Sequence, residues 1–308
     1  MKVGIPKAFL YYRYHTLWET FFEALNIEVV LSPDTNKEIL QQGTMYAIDE
    51  TCLSSKIYLG HAAYLLDKCD RLFVPRISNF GKDGILCTKF EALYDIVRNT
   101  FRDKSPKLVE YNIDVRRSKG ELKAFMHLGR KLGKSRPATV RAYMLAKMAE
   151  RQAAAEELRT QHELLRGDGL KILIVGHPYN VYDKLIGAPV LKFLRELGAV
   201  PVIADMTDRR KARERAFELT DSLPWVYNRE LVGAVLEYKA AVDGIILLSA
   251  FPCGPDSLVN EILLRRIHGI PMLNLLMDSQ QAEAGIETRL ESFIDIIRFK
   301  REANAHEA

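Results

Sequence analysis

Cysteine is the residue type whose placement in this sequence points most directly to chemistry. There are four, Cys52, Cys69, Cys87 and Cys253, and three of them share a topological position. Cys52 stands directly before a helical pattern over residues 53–66. Cys87 stands directly before Thr88, which opens another. Cys253 lies between an apolar strand over 244–249 and a helix beginning near Ser257. A helix N-terminus carries partial positive charge and free N–H groups. Both favour thiolate over thiol, which suits a cysteine to reaction or to metal binding. Core packing explains any one such cysteine; three in the same position argue for a shared task. Residues 81–84, bounded by Gly81 and Gly84, and the run Pro252-Cys253-Gly254-Pro255 keep the chain irregular around two of the three. Gly254, without a side chain, lets a bulky cofactor approach closely.

The spacing of the three matches no short-range zinc-finger pattern. Three thiolates from three loops suit an iron–sulfur cluster with one iron left without a cysteine ligand. Zinc held by three cysteines and one further ligand is the competing reading. Cys69, joining a helix end to a strand start, reads as a small packing residue. Polar residues accompany the three: Ser54 and Ser55 follow Cys52, and Asp256 and Ser257 follow Cys253. Hydroxyls in a first turn can donate to sulfur and raise a cluster's potential, or they serve as ordinary N-caps, the expected role of Asp256. His177-Pro178-Tyr179-Asn180 follows a buried strand and reads either as a polar loop at a ligand cleft or as a simple turn. His61 and His268 fall within helical patterns and read as ordinary helix residues.

The elements that must position these residues alternate. Strand signals at 2–6, 28–31 and 71–77 are interleaved with helical spacing at 14–25, 53–66 and 88–101, the last opened by a Thr88-x-x-Glu91 pattern that fits a capping box. From 115 to 167 only helices are expected, with Ser135 and Pro137 as a start and Gly167-Asp168-Gly169 as a stop. Alternation resumes with strands at 171–176, 200–204, 244–249 and 271–277 and helices at 188–197, 231–241, 257–268 and 285–301. The expected architecture is α/β, with two Rossmann-like parallel-sheet halves, 1–115 and 168–308, joined by a helical segment over 116–167. Such halves hold ligands at the carboxyl ends of their strands.

Composition narrows the class. The 308 residues are 48% hydrophobic and 27% charged, with a net charge of +4. No apolar run is long enough for a membrane span, four cysteines are too few for a disulfide scaffold, and the charge does not indicate nucleic-acid binding. No export signal opens the sequence, so a reducing cytoplasm is expected. Between Val115 and Glu150, however, ten Lys and Arg face only Glu121 and Glu150. That stretch, centred on Arg116–Arg141, is either a solvated helical face or a docking surface for an acidic partner or phosphates. Gly129-Arg-Lys-Leu-Gly133-Lys134-Ser135 is one residue short of a phosphate loop, and no strand precedes it.

Six segments in order carry a resemblance: Met1-Lys-Val-Gly-Ile-Pro-Lys-Ala-Phe-Leu-Tyr-Tyr12, Asp49-Glu-Thr-Cys-Leu-Ser-Ser-Lys56, Val74-Pro-Arg76, Gly176-His-Pro-Tyr-Asn180, Phe251-Pro-Cys-Gly-Pro-Asp-Ser257 and Glu283-Ala-Gly-Ile-Glu-Thr-Arg-Leu-Glu291. Together they resemble the 2-hydroxyacyl-CoA dehydratase component superfamily, in its activase-related branch. The resemblance implies two Rossmann-like halves and a [4Fe-4S] cluster whose cysteines fall on Cys52, Cys87 and Cys253, with Cys69 outside the motifs. It also implies a separate ATP-dependent activase as electron donor, an acyl-CoA as substrate class, and homo- or heterodimers. In such systems one low-potential electron yields a ketyl radical that expels the α-hydroxyl. The chain has no ATPase motif of its own. Three roles are therefore compared: a redox subunit of a dehydratase or reductase, a non-catalytic electron carrier, and a two-domain binding module with zinc or structural cysteines. No catalytic side chain is singled out; Ser54, Ser55, Gly254 and Ser257 are the expected cofactor contacts.

Overall fold

The computed structural model describes residues 1–279 and 283–307; residues 280–282 and 308, within the expected C-terminal half, lie outside the described residues. The chain divides into two compact units, Met1–Glu156 with Pro224–Val226, and Glu157–Leu223 with Tyr227–Ala308. The helical stretch expected over 116–167 is thereby divided between them.

Unit 1 runs β1 (Lys2–Ile5), α1 (Tyr11–Ala24), β2 (Glu28–Leu31), α2 (Lys37–Tyr46), α3 (Leu53–Leu65), β3 (Arg71–Asn79), α4 (Thr88–Thr100), β4 (Leu108–Asp114), α5 (Glu121–Lys131) and the first part of α6 (Arg136–Arg166). Its four strands are all parallel in the order β2-β1-β3-β4. The core is aromatic: Trp18 packs edge-on to Phe73 at 4.9 Å, and Phe21 meets Phe125 at 4.5 Å. All four rings are fully buried, each contributing roughly 1.5–3 kcal/mol of apolar burial.

Unit 2 continues with β5 (Leu170–Val175), α7 (Pro178–Val181), α8 (Gly187–Glu196), β6 (Ala199–Ile203), α9 (Arg209–Arg215), α10 (Val226–Tyr238, from Tyr227 onward), β7 (Gly244–Ala250), α11 (Gly254–Arg266), β8 (Met272–Met277) and α12 (Glu283–Glu307). Its sheet repeats the arrangement, parallel in the order β6-β5-β7-β8. Every residue of β7 is buried, as a central parallel strand requires. The Gln161 amide on α6 satisfies both backbone groups of Ile203, donating to its carbonyl at 2.6 Å and accepting from its N–H at 3.2 Å. The carboxyl end of the β6 edge, at Ile203, is thus paired by a side chain. Among the described residues, no helix is long and apolar enough to cross a membrane.

The α/β reading with two parallel sheets holds. Ser135 and Pro137 do begin a helix, with the Ser135 hydroxyl accepting from the Ala138 N–H at 3.4 Å, and Arg166 ends it before Gly167. Several boundaries differ, for local reasons. The helix expected from Ser257 begins three residues earlier because Pro255 is tolerated in a first turn, where its missing N–H costs nothing. It ends at Arg266, so His268 lies beyond it, exposed. The capping box at Thr88 does not form: Cys87 is the N-cap, without a side-chain cap bond, and Thr88 is already helical. Neither α2 nor β4 was expected.

Candidate functional site

In each sheet the strand order reverses beside the first strand, and the carboxyl ends there flank the crevice where doubly wound sheets hold ligands. In unit 1 that places the segment after β3, leading to Cys87. In unit 2 it places His177 after β5 and Cys253 after β7.

Cys52 is the N-cap of α3, in extended conformation at φ −64° and ψ 151°. Its carbonyl accepts from the N–H groups of Ser55 at 2.9 Å and Lys56 at 3.1 Å, so α3 starts on it. The sulfur is half-buried and lies 3.3 Å from the Ser55 hydroxyl. Ser54 and Ser55 are themselves buried. Cys87 repeats this at the head of α4, with φ −58° and ψ 139°, and its carbonyl accepts from Phe90 N–H at 2.9 Å. Both cysteines belong to unit 1. Cys253 does the same in unit 2, as the N-cap of α11 at φ −110° and ψ 106°. All three thiols are half-buried and none forms a disulfide.

The Ser257 hydroxyl does not face a sulfur. It donates to the Cys253 carbonyl at 2.7 Å, a back-bond within the first turn. A methyl group placed on Gly254 would meet nothing within 4 Å, so the space beside Cys253 is open. Cys69 differs from the three: its thiol donates to the Leu65 carbonyl at 3.1 Å and abuts Gly4, and burial pushes its pKa up. It is a packing residue against β1.

His177 is neither an open cleft loop nor a bare turn. It is buried at the N-terminus of α7, and its Nε2 meets Asp256 Oδ1 at 3.0 Å. Asn228 Nδ2 donates to the same oxygen at 2.9 Å. Burial opposes ionisation of Asp256. The charge and hydrogen bond of His177, then Asn228 and the Cys253 side chain, outweigh it and hold the carboxyl below the usual range. Asp256 lies in the first turn of α11 but does not cap it. Instead it ties the β5 end to the turn that Cys253 heads. Nothing in the sequence marked Asn228, which stands beside Arg229 and Glu230 in α10.

Taken one by one, each N-cap thiol has the donor chemistry of a thiophilic ligand: soft sulfur, first-turn N–H groups beside it and partial exposure. Among the described residues, no group of three or more His, Cys, Asp or Glu is gathered in a way that would hold a metal ion. Of the basic stretch, Lys147 pairs with Glu121 at 3.0 Å and with Glu150, and Lys134 donates to the Leu25 carbonyl at 2.7 Å. Arg116, Arg117, Lys119, Lys123, Arg130, Lys131, Arg136 and Arg141 remain exposed.

Residues 2–207 match the family model described as the CoA enzyme activase uncharacterised domain (DUF2229). No curated protein matches the chain.

Proposed function

The chain belongs to the CoA enzyme activase domain family, and from that premise we propose that it is a [4Fe-4S]-binding redox component of an ATP-activated 2-hydroxyacyl-CoA dehydratase-like or reductase system. The observation that carries the reading is the threefold repetition of a half-buried cysteine as an extended N-cap, on α3, α4 and α11. Cys52, Cys87 and Cys253 would hold the group. When bound, it would supply one-electron transfer at low potential. The chain's own residues do the rest. First-turn N–H groups of α3, α4 and α11 stabilise thiolate. The Ser55 hydroxyl, 3.3 Å from the Cys52 sulfur, is placed to donate to it. The Asp256–His177 pair fixes the turn that carries Cys253. Electrons would come from a separate ATP-dependent activase, and the substrate would be an acyl-CoA.

Anaerobic purification tests this directly. The expected result is a brown protein with about four irons per chain. Cys52→Ser, Cys87→Ser and Cys253→Ser should each lose the iron, and Cys69→Ser should keep it. A colourless protein containing zinc would establish the binding-module reading instead. Full iron in Cys253→Ser would remove that residue from the set. A second role, as an electron carrier without turnover, is favoured by the eight exposed cations of the basic stretch. Turnover of an acyl-CoA with a partner ATPase separates it from the first.

A further inference from the structure

The part of α6 that belongs to unit 1 places its residues in an inverted way. Its buried side is made of small residues: Thr139, Ala142 and Ala146 are each at most 1% exposed. The large apolar side chains go the other way, with Met144 60%, Leu145 42% and Met148 58% exposed. Burial of apolar surface drives folding, so folding alone favours the opposite arrangement. A single exposed apolar residue is ordinary. Three within little more than one helical turn form a patch, and exposed apolar patches mark interaction sites.

The charges around the patch have one sign. A period of 3.6 residues sets Arg141, Met144, Leu145, Met148, Arg151 and Gln152 on one side of the helix, and all six are exposed. From Arg136 to Ala155 that side carries no acid. Glu150, the acid of this span, lies on another side and pairs with Lys147, as does Glu121 of α5 at 3.0 Å. The nearby acids are therefore engaged on Lys147, and Arg141 and Arg151 stand about one turn to either side of the apolar patch.

We propose that this face of α6 is the docking surface for an acidic amphipathic helix of a partner protein. Apolar residues of that helix cover Met144, Leu145 and Met148. Its flanking carboxylates meet Arg141 and Arg151, which lie about 15 Å apart along α6. Methionine suits the role, because its unbranched side chain adapts to the surface laid on it. A second copy of this chain is a poor occupant, since the same face would set like charges together. A membrane is a poorer one. Faces that lie on lipid carry aromatic anchors, and the neighbouring Tyr143 is turned to α5, its hydroxyl donating to Glu121 at 3.2 Å. Docking here needs no metal at the cysteines, so it is tested separately from the iron reading.

The test uses a labelled peptide of about 18 residues, long enough to form a helix on contact, with Leu at helical spacing and Glu elsewhere. Its counterpart carries Lys in place of Glu. Fluorescence anisotropy with the full chain should show binding of the Glu peptide, weakened by salt, and none of the Lys peptide. The double variant Met144→Gln/Met148→Gln should bind the Glu peptide about tenfold more weakly. Arg141→Gln/Arg151→Gln should also bind it more weakly and flatten the salt dependence. Melting temperatures should be unchanged, because all four side chains are exposed. Ile296→Gln, which removes an equally exposed apolar residue from α12, should leave the affinity unaltered. Equal binding of the two peptides, or undiminished affinity in the folded Met144→Gln/Met148→Gln protein, overturns the proposal. So does failure of the Glu peptide to bind, whether the wild type instead pellets with phosphatidylserine vesicles or sediments as a dimer that the same double variant dissociates.

Discussion

His61 is fully buried on α3 with both ring nitrogens engaged, Nδ1 to the Ser32 hydroxyl at 2.8 Å and Nε2 to the Thr35 hydroxyl at 2.9 Å. Burial, and then the nearby Lys7, lower its pKa from 6.5 to about 3, against a weaker opposing pull from Asp34. The unfolded chain protonates this ring near pH 6.5 and the folded chain does not. Its contribution to stability is therefore complete above pH 6.5 and is lost as pH falls from there towards 3. At about 1.4 kcal/mol per pH unit once the unfolded ring is charged, the loss between pH 6.5 and 4.5 is about 2 kcal/mol. Urea unfolding of wild type and His61→Gln across that range should give curves that converge on acidification; parallel curves would deny His61 this role. At the same scale, the sequence made the cysteines legible because an N-cap position shows in the pattern that follows it. It did not reveal the Asp256–Asn228 bond, which joins residues on two different helices, nor that Ser257 spends its hydroxyl on a carbonyl. Hydrogen-bond direction is a tertiary property, and spacing along the chain does not encode it.

Among the elements, α2 is the clearest case of packing overriding local preference. It contains Gly43 near its C-terminal end, which costs a helix about 1 kcal/mol, and its composition is largely polar. It forms because Asn36 caps it, accepting from the Ile39 N–H at 2.9 Å, and because it crosses α3 at backbone contact. A methyl on Gly43 would overlap the Lys56 carbonyl, and one on Gly60 would overlap that of Ile39. The helices meet glycine to glycine, so neither position tolerates a side chain. Gly60→Ala should destabilise unit 1 by about 3 kcal/mol, although alanine is the better helix former. Gly254→Ala, facing open space, should change stability by less than about 0.5 kcal/mol. Denaturant titrations compare the two; equal effects would mean that the crossing adjusts freely. The strand β4 escaped for a related reason. It alternates buried and half-buried residues along Leu108–Asp114, with Glu110, Asn112 and Asp114 on its wetter face. Continuous apolar runs announced β5 and β7, whereas an edge strand needs its neighbour to become apparent.

Across the whole molecule, a net charge of +4 conceals an uneven distribution. The two acids of the stretch from Val115 to Glu150 are both spent on Lys147. Arg130, Lys131, Arg136 and Arg141 are exposed, and their field is not cancelled within the stretch. Arg130 and Lys131 depress the pKa of His127, after burial, which shows the local potential to be positive. Exposed cations of this kind add little to folding, but they steer an acidic partner and set its orientation. If an activase docks here, changing these four residues to Glu should slow association roughly tenfold at low salt. The deficit should shrink as salt rises, because charges beyond a Debye length of about 8 Å at physiological ionic strength are screened. Iron content and the unfolding midpoint should be unaltered, since the four side chains are exposed and distant in sequence from all three N-cap cysteines. Stopped-flow association with a partner ATPase, measured at several salt concentrations, reads all of this at once. Association rates that are unchanged by the reversals and flat with salt would make the stretch a solvated face, with partner recognition carried elsewhere.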